Sequence, residues 1–199
     1  MAWQRPGYAL LLAVSLLASP LAHAQTNRVD RVLLDSQRSH ATFAVKVMWL
    51  LPVHGRFGKV HGSVDVDRFR SVATVDARID AGAVEMGNKS YEDWVKSPEF
   101  FDVAKHPEIG FVSEPFPLQR LHKGGQLSGT LTIRGVAQHE TFDLDPAECD
   151  KPAYDCPIVV KGSIHRSDFG MRSRRGTLGD KVDLHFEVYA IAAAERLDS

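Results

Sequence analysis

The segment Gly125-Gln126-Leu127-Ser128-Gly129-Thr130-Leu131-Thr132-Ile133-Arg134 decides the fold class. Its odd positions are Gly125, Leu127, Gly129, Leu131 and Ile133, and its even positions are Gln126, Ser128, Thr130, Thr132 and Arg134. Successive side chains of a strand point to opposite faces, so this writing predicts a strand with one apolar and one polar face. The same alternation spreads outward in both directions. It recurs at Ala41, Phe43, Val45 and Val47; at Val60, Gly62, Val64 and Val66; at Ala73, Val75, Ala77 and Ile79; and at Val182, Leu184, Phe186, Val188 and Ala190. Ile109 and Phe111, Phe142 and Leu144, and Ile158, Val160 and Ile164 are shorter examples.

These are eight segments, each apolar on one face only. Parallel sheets are buried on both faces and read as continuous apolar runs, so the pattern predicts an all-β, antiparallel sheet folded over its own apolar face. A sandwich and a closed barrel both meet that demand. Closure also removes edge strands, and a barrel of about eight strands can hold one small ligand. Gly62, Ala73, Ala77, Gly129, Gly162 and Ala190 lie on apolar faces, where small residues either fit a taper or leave room for a guest. Only one stretch departs from the β pattern. Ser90 and Asp93 read as a capping box, and Tyr91, Trp94 and Val95 form an i, i+3, i+4 stripe, which predicts a short helix near 90–97 stopped by Pro98. The adjacent Phe100 and Phe101 cannot share one face of a strand, so they are expected to plug an opening or wedge the helix.

The chain has 199 residues, 44% apolar and 25% charged, which excludes global disorder. Its 24 basic and 25 acidic residues give a net charge of −1, which argues against a protein whose main task is gripping nucleic acid. Residues 1–24 read as a signal peptide: Arg5 supplies a positive start, Tyr8 to Ala18 an apolar run, and Ala22-His23-Ala24 a cleavage site. Residues 25–199 then form one exported β domain, with no further stretch apolar enough to span a bilayer. In an oxidising compartment Cys149 and Cys156, which bracket a turn-rich loop, are expected to form a structural disulfide. A catalytic thiol lacks a helix start or a neighbouring cation to activate it.

Several motifs, taken in order, resemble the YceI-like family. They are Asp35-Ser36-Gln37-Arg38-Ser39-His40-Ala41-Thr42-Phe43, Gly55-Arg56-Phe57, and Trp94-Val95-Lys96-Ser97-Pro98-Glu99-Phe100-Phe101-Asp102. His106-Pro107-Glu108-Ile109-Gly110-Phe111, Gly129 to Val136, and Arg166-Ser167-Asp168-Phe169-Gly170-Met171 follow. The resemblance implies an exported, eight-stranded, lipocalin-like barrel with one short helix, located in the periplasm or secreted, that binds a polyisoprenoid or another long-chain lipid. Two departures stand out. Val47 occupies the place where the family often has a histidine closing the first long strand, and the cysteine loop 149–156 is not part of the general pattern.

The expected ligand contacts are Phe43, Val45, Val47, Phe57, Phe101, Phe111, Leu131, Ile133, Phe169, Met171 and Phe186, with a packed core as their alternative. Each methylene moved out of water would contribute about 0.8 kcal/mol, so a long chain binds without strong polar contacts. Trp49 and Trp94 join the set; Trp94 reads better as a seal of the barrel end and Trp49 as a lipid contact. Arg166 and Arg172, within a loop that also holds Arg174 and Arg175, could receive an anionic head group, the alternative being a solvated loop. The histidines show no zinc spacing, so no metal and no cofactor are expected, although a site assembled across strands stays open. No nucleophile elbow or phosphate loop marks an enzyme. The alternatives retained are an envelope enzyme using His40 or His165 as base, and an interaction module using Phe100 and Phe101 or Met48 and Trp49. A homodimer is also left open.

Overall fold

The computed structural model describes residues 29–174 and 176–192. The expected leader 1–24 and Arg175 lie outside the described residues. The described residues form one antiparallel sheet of twelve strands. These are β1 (Val29–Leu33), β2 (His40–Val47), β3 (Leu51–Phe57), β4 (Val60–Asp67), β5 (Val72–Asp80) and β6 (Val84–Met86). β7 (Glu108–Ser113), β8 (Phe116–Pro117), β9 (Gly125–Ile133), β10 (Val136–Leu144), β11 (Ile158–His165) and β12 (Leu178–Val188) complete it. Among the described residues two α-helices, α1 (Lys89–Lys96) and α2 (Arg120–Lys123), interrupt the strands.

The sheet runs in the order β1-β4-β5-β7-β9-β10-β11-β12-β2-β3-β6, with β8 paired to β5. It curls until its distant parts meet. Leu34, just past β1, bridges Ala190, just past β12. Around that bridge the Ile191 N–H donates to the Leu33 carbonyl at 2.9 Å, and the Asp35 N–H to the Tyr189 carbonyl at 2.9 Å. Closure satisfies backbone groups that an open edge would expose, and gives the apolar faces one shared interior. Inside lie Leu127, Leu131 and Ile133 of β9, which are 6%, 3% and 5% exposed, as the alternation requires.

Eight of the twelve strands are the segments read from alternation; β1, β3, β6 and β8 are additional. β6 and β8 have 3 and 2 residues, too few to show a period. β3 carries the exposed Pro52 and presents Gly55 where an apolar side chain would mark the inward phase. In β1 the outward residues include Val29 and Leu33, 52% and 40% exposed, which blurs its two faces.

The helix also starts differently from the capping-box reading. Asn88, in extended conformation, is the N-cap, and its side chain accepts from the Ser90 N–H at 2.8 Å. Ser90 is therefore already helical, while Asp93 pairs with Lys89. The second helix, α2, is a single turn that the alternation does not reveal. Phe100 and Phe101 sit in a turn, not in a strand, which lets both point inward; Phe100 is 5% exposed and Phe101 half-buried. An exposed docking surface built on this pair is thus ruled out by packing. Cys149 and Cys156 are joined by a disulfide with a Cα–Cα distance of 6.1 Å.

Candidate ligand cavity

The barrel interior is not solid. A cavity of about 490 Å³ runs through it, a volume within the range of small-molecule sites. Its wall is built from the inward phase of the strands: Phe43 and Val45 of β2, Val64 of β4, Val75 of β5, Leu131 of β9 and Phe186 of β12 are typical. Two aromatic groups shape it. Phe43, Phe57 and Phe101 pack with ring centroids 5.6–6.5 Å apart. Phe142 stands edge-on to Phe111 at 5.5 Å and to Phe186 at 6.0 Å. The inward glycines do not open the space. The ring of Phe142 fills the slot at Gly162, and Phe111 with the Val112–Ser113 backbone fills that at Gly129.

Among the described residues no Asp, Glu or His lines the cavity. The polar side chains that do reach the wall stand mostly toward its ends. Tyr91 of α1, 45% exposed, and Thr177 lie at one end. Arg68 and Tyr154, the latter 38% exposed, lie at the other. Arg68 is held there by Asp30 in an ion pair of 2.5 Å. Trp94 lines the helix end, where its indole N–H donates to Glu99 at 2.6 Å and its ring meets Phe100 edge-on at 4.7 Å. The wall thus combines a long apolar middle with polar rims, an arrangement suited to removing hydrocarbon from water.

Arg166 reaches the wall but is 2% exposed, and its guanidinium donates to the carbonyls of Gly179 at 2.8 Å, Leu178 at 3.1 Å and Met171. It binds the loop after β11 to the start of β12. Asp180 supports the same corner by accepting from the Ser167 N–H at 3.0 Å and hydroxyl at 2.8 Å. Burial pushes the Asp180 carboxyl up, but the two Ser167 bonds and the Arg166 charge together hold it below its ordinary value. Outside the cavity wall, on the face of β10 that also carries Phe142 and Leu144, burial and Asp168 push the Glu140 carboxyl up.

Of the expected ligand contacts, the structure brings Phe43, Val45, Val47, Phe57, Trp94, Phe101, Phe111, Leu131, Ile133, Met171 and Phe186 into one wall. Trp49 and Phe169 are outside it. Trp49 is 67% exposed on the β2–β3 turn, whereas Phe169 is 0% exposed, enclosed in a 3-10 turn that packs it into the surrounding core. Arg166 and Arg172 do not share the cavity: Arg172 is exposed, with a long 3.5 Å contact to the Ser167 carbonyl. His40 and His165 stand outside the wall as well, His40 facing Glu187 at 3.7 Å. Among the described residues no three His, Cys, Asp or Glu side chains are arranged to hold a metal ion, and no helix is long and apolar enough to cross a membrane.

The sequence reading missed wall residues supplied by irregular segments. Met86 of the short β6, Phe100 beside α1, Phe116 of β8, and Leu118 and Leu121 around α2 all line the cavity. The i, i+3 spacing of Leu118 and Leu121 was the available signal. Pro152, Ala153 and Tyr154 enter through the disulfide loop, which no periodicity announces.

An antiparallel barrel curled around an apolar cavity defines a lipocalin-like binding fold. Residues 33–190 match the YceI-like domain, and the chain belongs to that family. A UPF0312 protein of Pectobacterium carotovorum subsp. carotovorum is 26% identical over 189 residues, covering 91% of this chain and 94% of that protein. A UPF0312 protein of Staphylococcus aureus is 26% identical over 167 residues, covering 81% of this chain and 94% of its own. The crystal structure of Burkholderia cenocepacia BcnA superposes with a TM-score of 0.64 at 24% identity, covering 78% of this chain and 98% of BcnA. A polyisoprenoid binding domain from Saccharophagus degradans gives a TM-score of 0.61 at 14% identity, covering 83% and 99% of the two chains. At these identities the structural likeness establishes the shared fold.

Proposed function

We propose that this chain is an exported protein of the periplasm or extracellular space that sequesters or carries a long-chain amphiphile, such as a polyisoprenoid, inside its barrel. It performs no reaction on that ligand. The observation that carries this reading is the cavity wall, apolar through its middle and without a carboxylate or imidazole among the described residues. Such a wall offers hydrocarbon burial at about 0.8 kcal/mol per methylene, which favours holding a chain over acting on it. The Saccharophagus degradans polyisoprenoid binding domain, which shares the fold, supports the ligand class.

The test is gentle purification of the exported protein, native mass spectrometry, and organic extraction of any retained compound. A stoichiometric long-chain lipid, recovered chemically unchanged, is the expected result. A clean apoprotein that takes up no added isoprenoid overturns the reading, and a chemically altered lipid overturns the claim of no reaction. The native mass also reads whether the protein is a monomer or a homodimer.

A further inference from the structure

The turn between β2 and β3, with the first residue of β3, places four large apolar residues in solvent: Met48, Trp49, Leu50 and Leu51 are 64%, 67%, 82% and 65% exposed. Single exposed apolar side chains are ordinary, but a contiguous group marks an interaction site. The backbone beneath them is costly too. Met48 and Trp49 have φ of 49° and 66°, and the Leu50 N–H donates back to the Val47 carbonyl at 3.2 Å. A turn with two central residues at positive φ favours Asn and Gly, not Met and Trp. Bulky apolar groups therefore stand where neither solubility nor turn geometry selects them.

We propose that this tip docks the barrel onto an anionic lipid bilayer. Trp and Leu at a projecting tip suit the boundary between head groups and acyl chains, where an indole keeps its N–H wet and buries its ring. The exposed cations Lys46, Arg172 and Arg174 stand on the strand leading to the tip and on the loop beside it. Arg174 also faces Glu99 at 4.0 Å. Positive groups around an apolar tip match a surface rich in negative head groups. A second copy of the chain fits less well, since a two-fold contact would set the same cations against each other.

The tip is also joined to the cavity. The Met48 N–H donates to the Thr177 carbonyl at 2.6 Å, and Thr177, Val47 and Val53 all line the cavity beside the tip. Docking would set that cavity end against the bilayer, where a lipid chain could pass without crossing bulk water. The docking itself goes beyond the cavity reading and does not require an occupied cavity.

The test uses vesicles of phosphatidylcholine with and without phosphatidylglycerol, read by cosedimentation and by quenching of tryptophan fluorescence with brominated acyl chains. The parent protein is expected to bind the anionic vesicles and to be quenched. The double variant Met48→Asn/Trp49→Gly, whose residues suit the turn, is expected to keep its thermal midpoint and to bind at least about tenfold more weakly. Leu50→Ser, which leaves the positive-φ residues in place, should weaken binding in the same direction. Phe69→Ser serves as the control, because Phe69 is a lone 80% exposed aromatic on the β4–β5 turn. Val182→Trp, which fills the cavity, should bind vesicles like the parent, so docking and cavity occupancy are read separately. Absence of vesicle binding overturns the proposal, as does unchanged binding by the tip variants. Loss of binding with Phe69→Ser or Val182→Trp in place of the tip variants overturns it equally.

Discussion

The ring of Phe43 occupies the place that a β-carbon on Gly55 would take, its Cζ lying 2.2 Å from that position. The two residues are direct partners across β2 and β3, so the glycine is a slot for the ring. Adding a methyl group there would drive Phe43 toward the cavity and disturb its contacts with Phe57 and Phe101. Gly55→Ala is expected to cost about 1–3 kcal/mol, the usual range for overpacking. Chemical denaturation measures the loss, and lipid uptake by the folded fraction should fall with it.

Val182 lines the cavity where β12 pairs with Val45 of β2. A tryptophan there takes up space that the ligand would otherwise fill. Losing burial of about two methylenes removes roughly 1.6 kcal/mol, or about tenfold in affinity. Titration of Val182→Trp with a fluorescent isoprenoid analogue should show that weakening, while far-ultraviolet circular dichroism stays that of a β-barrel. Equal affinity would place the ligand elsewhere.

The Cys149–Cys156 disulfide closes a short loop, with a sequence separation of 7. That loop is tied into the barrel: the Ala153 carbonyl accepts from the Ala190 N–H at 2.8 Å, and the Tyr154 carbonyl from Arg38 at 3.3 Å. Replacing both cysteines by serine frees the unfolded chain and is expected to cost roughly 2–3 kcal/mol. Thermal unfolding with and without reductant checks it. Reductant should lower the parent's midpoint and leave that of the variant unchanged.

The Asp180 carboxyl lies below its ordinary value of 3.8 despite partial burial, because Ser167 donates two hydrogen bonds to it. The folded protein therefore binds that proton less readily than the unfolded chain. The stabilisation is complete above the unfolded value and is lost as pH falls through the lower folded one. Asp180→Asn should cost about 1–2 kcal/mol at neutral pH and show a shallower loss of stability between neutral and strongly acidic pH. Denaturation curves across that interval supply the comparison.

Much of the fold was legible because one-faced strands announce themselves. In β9 the phase of Leu127, Leu131 and Ile133 was readable from spacing, and the same phase puts Phe43, Phe111 and Phe186 inside. Less could be read where the chain turns. Trp49 and Phe169 both flank strands, yet one ends in solvent and the other fully buried, because turn dihedrals, not alternation, aim them. Arg166 looked like its neighbour Arg172, but the backbone carbonyls of Met171, Leu178 and Gly179 engage its guanidinium. Nothing local in the sequence distinguishes a buried clasp from a solvated cation.

Alternation of side chains settles the phase of the eight strands it marks, their single apolar face, and hence the need for the sheet to close on itself. Those properties are local, since strand period and burial of an apolar face act over a few residues. Which inward side chains fill one another's slots, and which border open space, follows instead from packing between distant segments. Phe142 meets both Phe111 and Phe186, and Leu34 meets Ala190, across long stretches of chain. A cavity is the volume left after such distant partners have packed, so it belongs to no segment and cannot be written in any one strand.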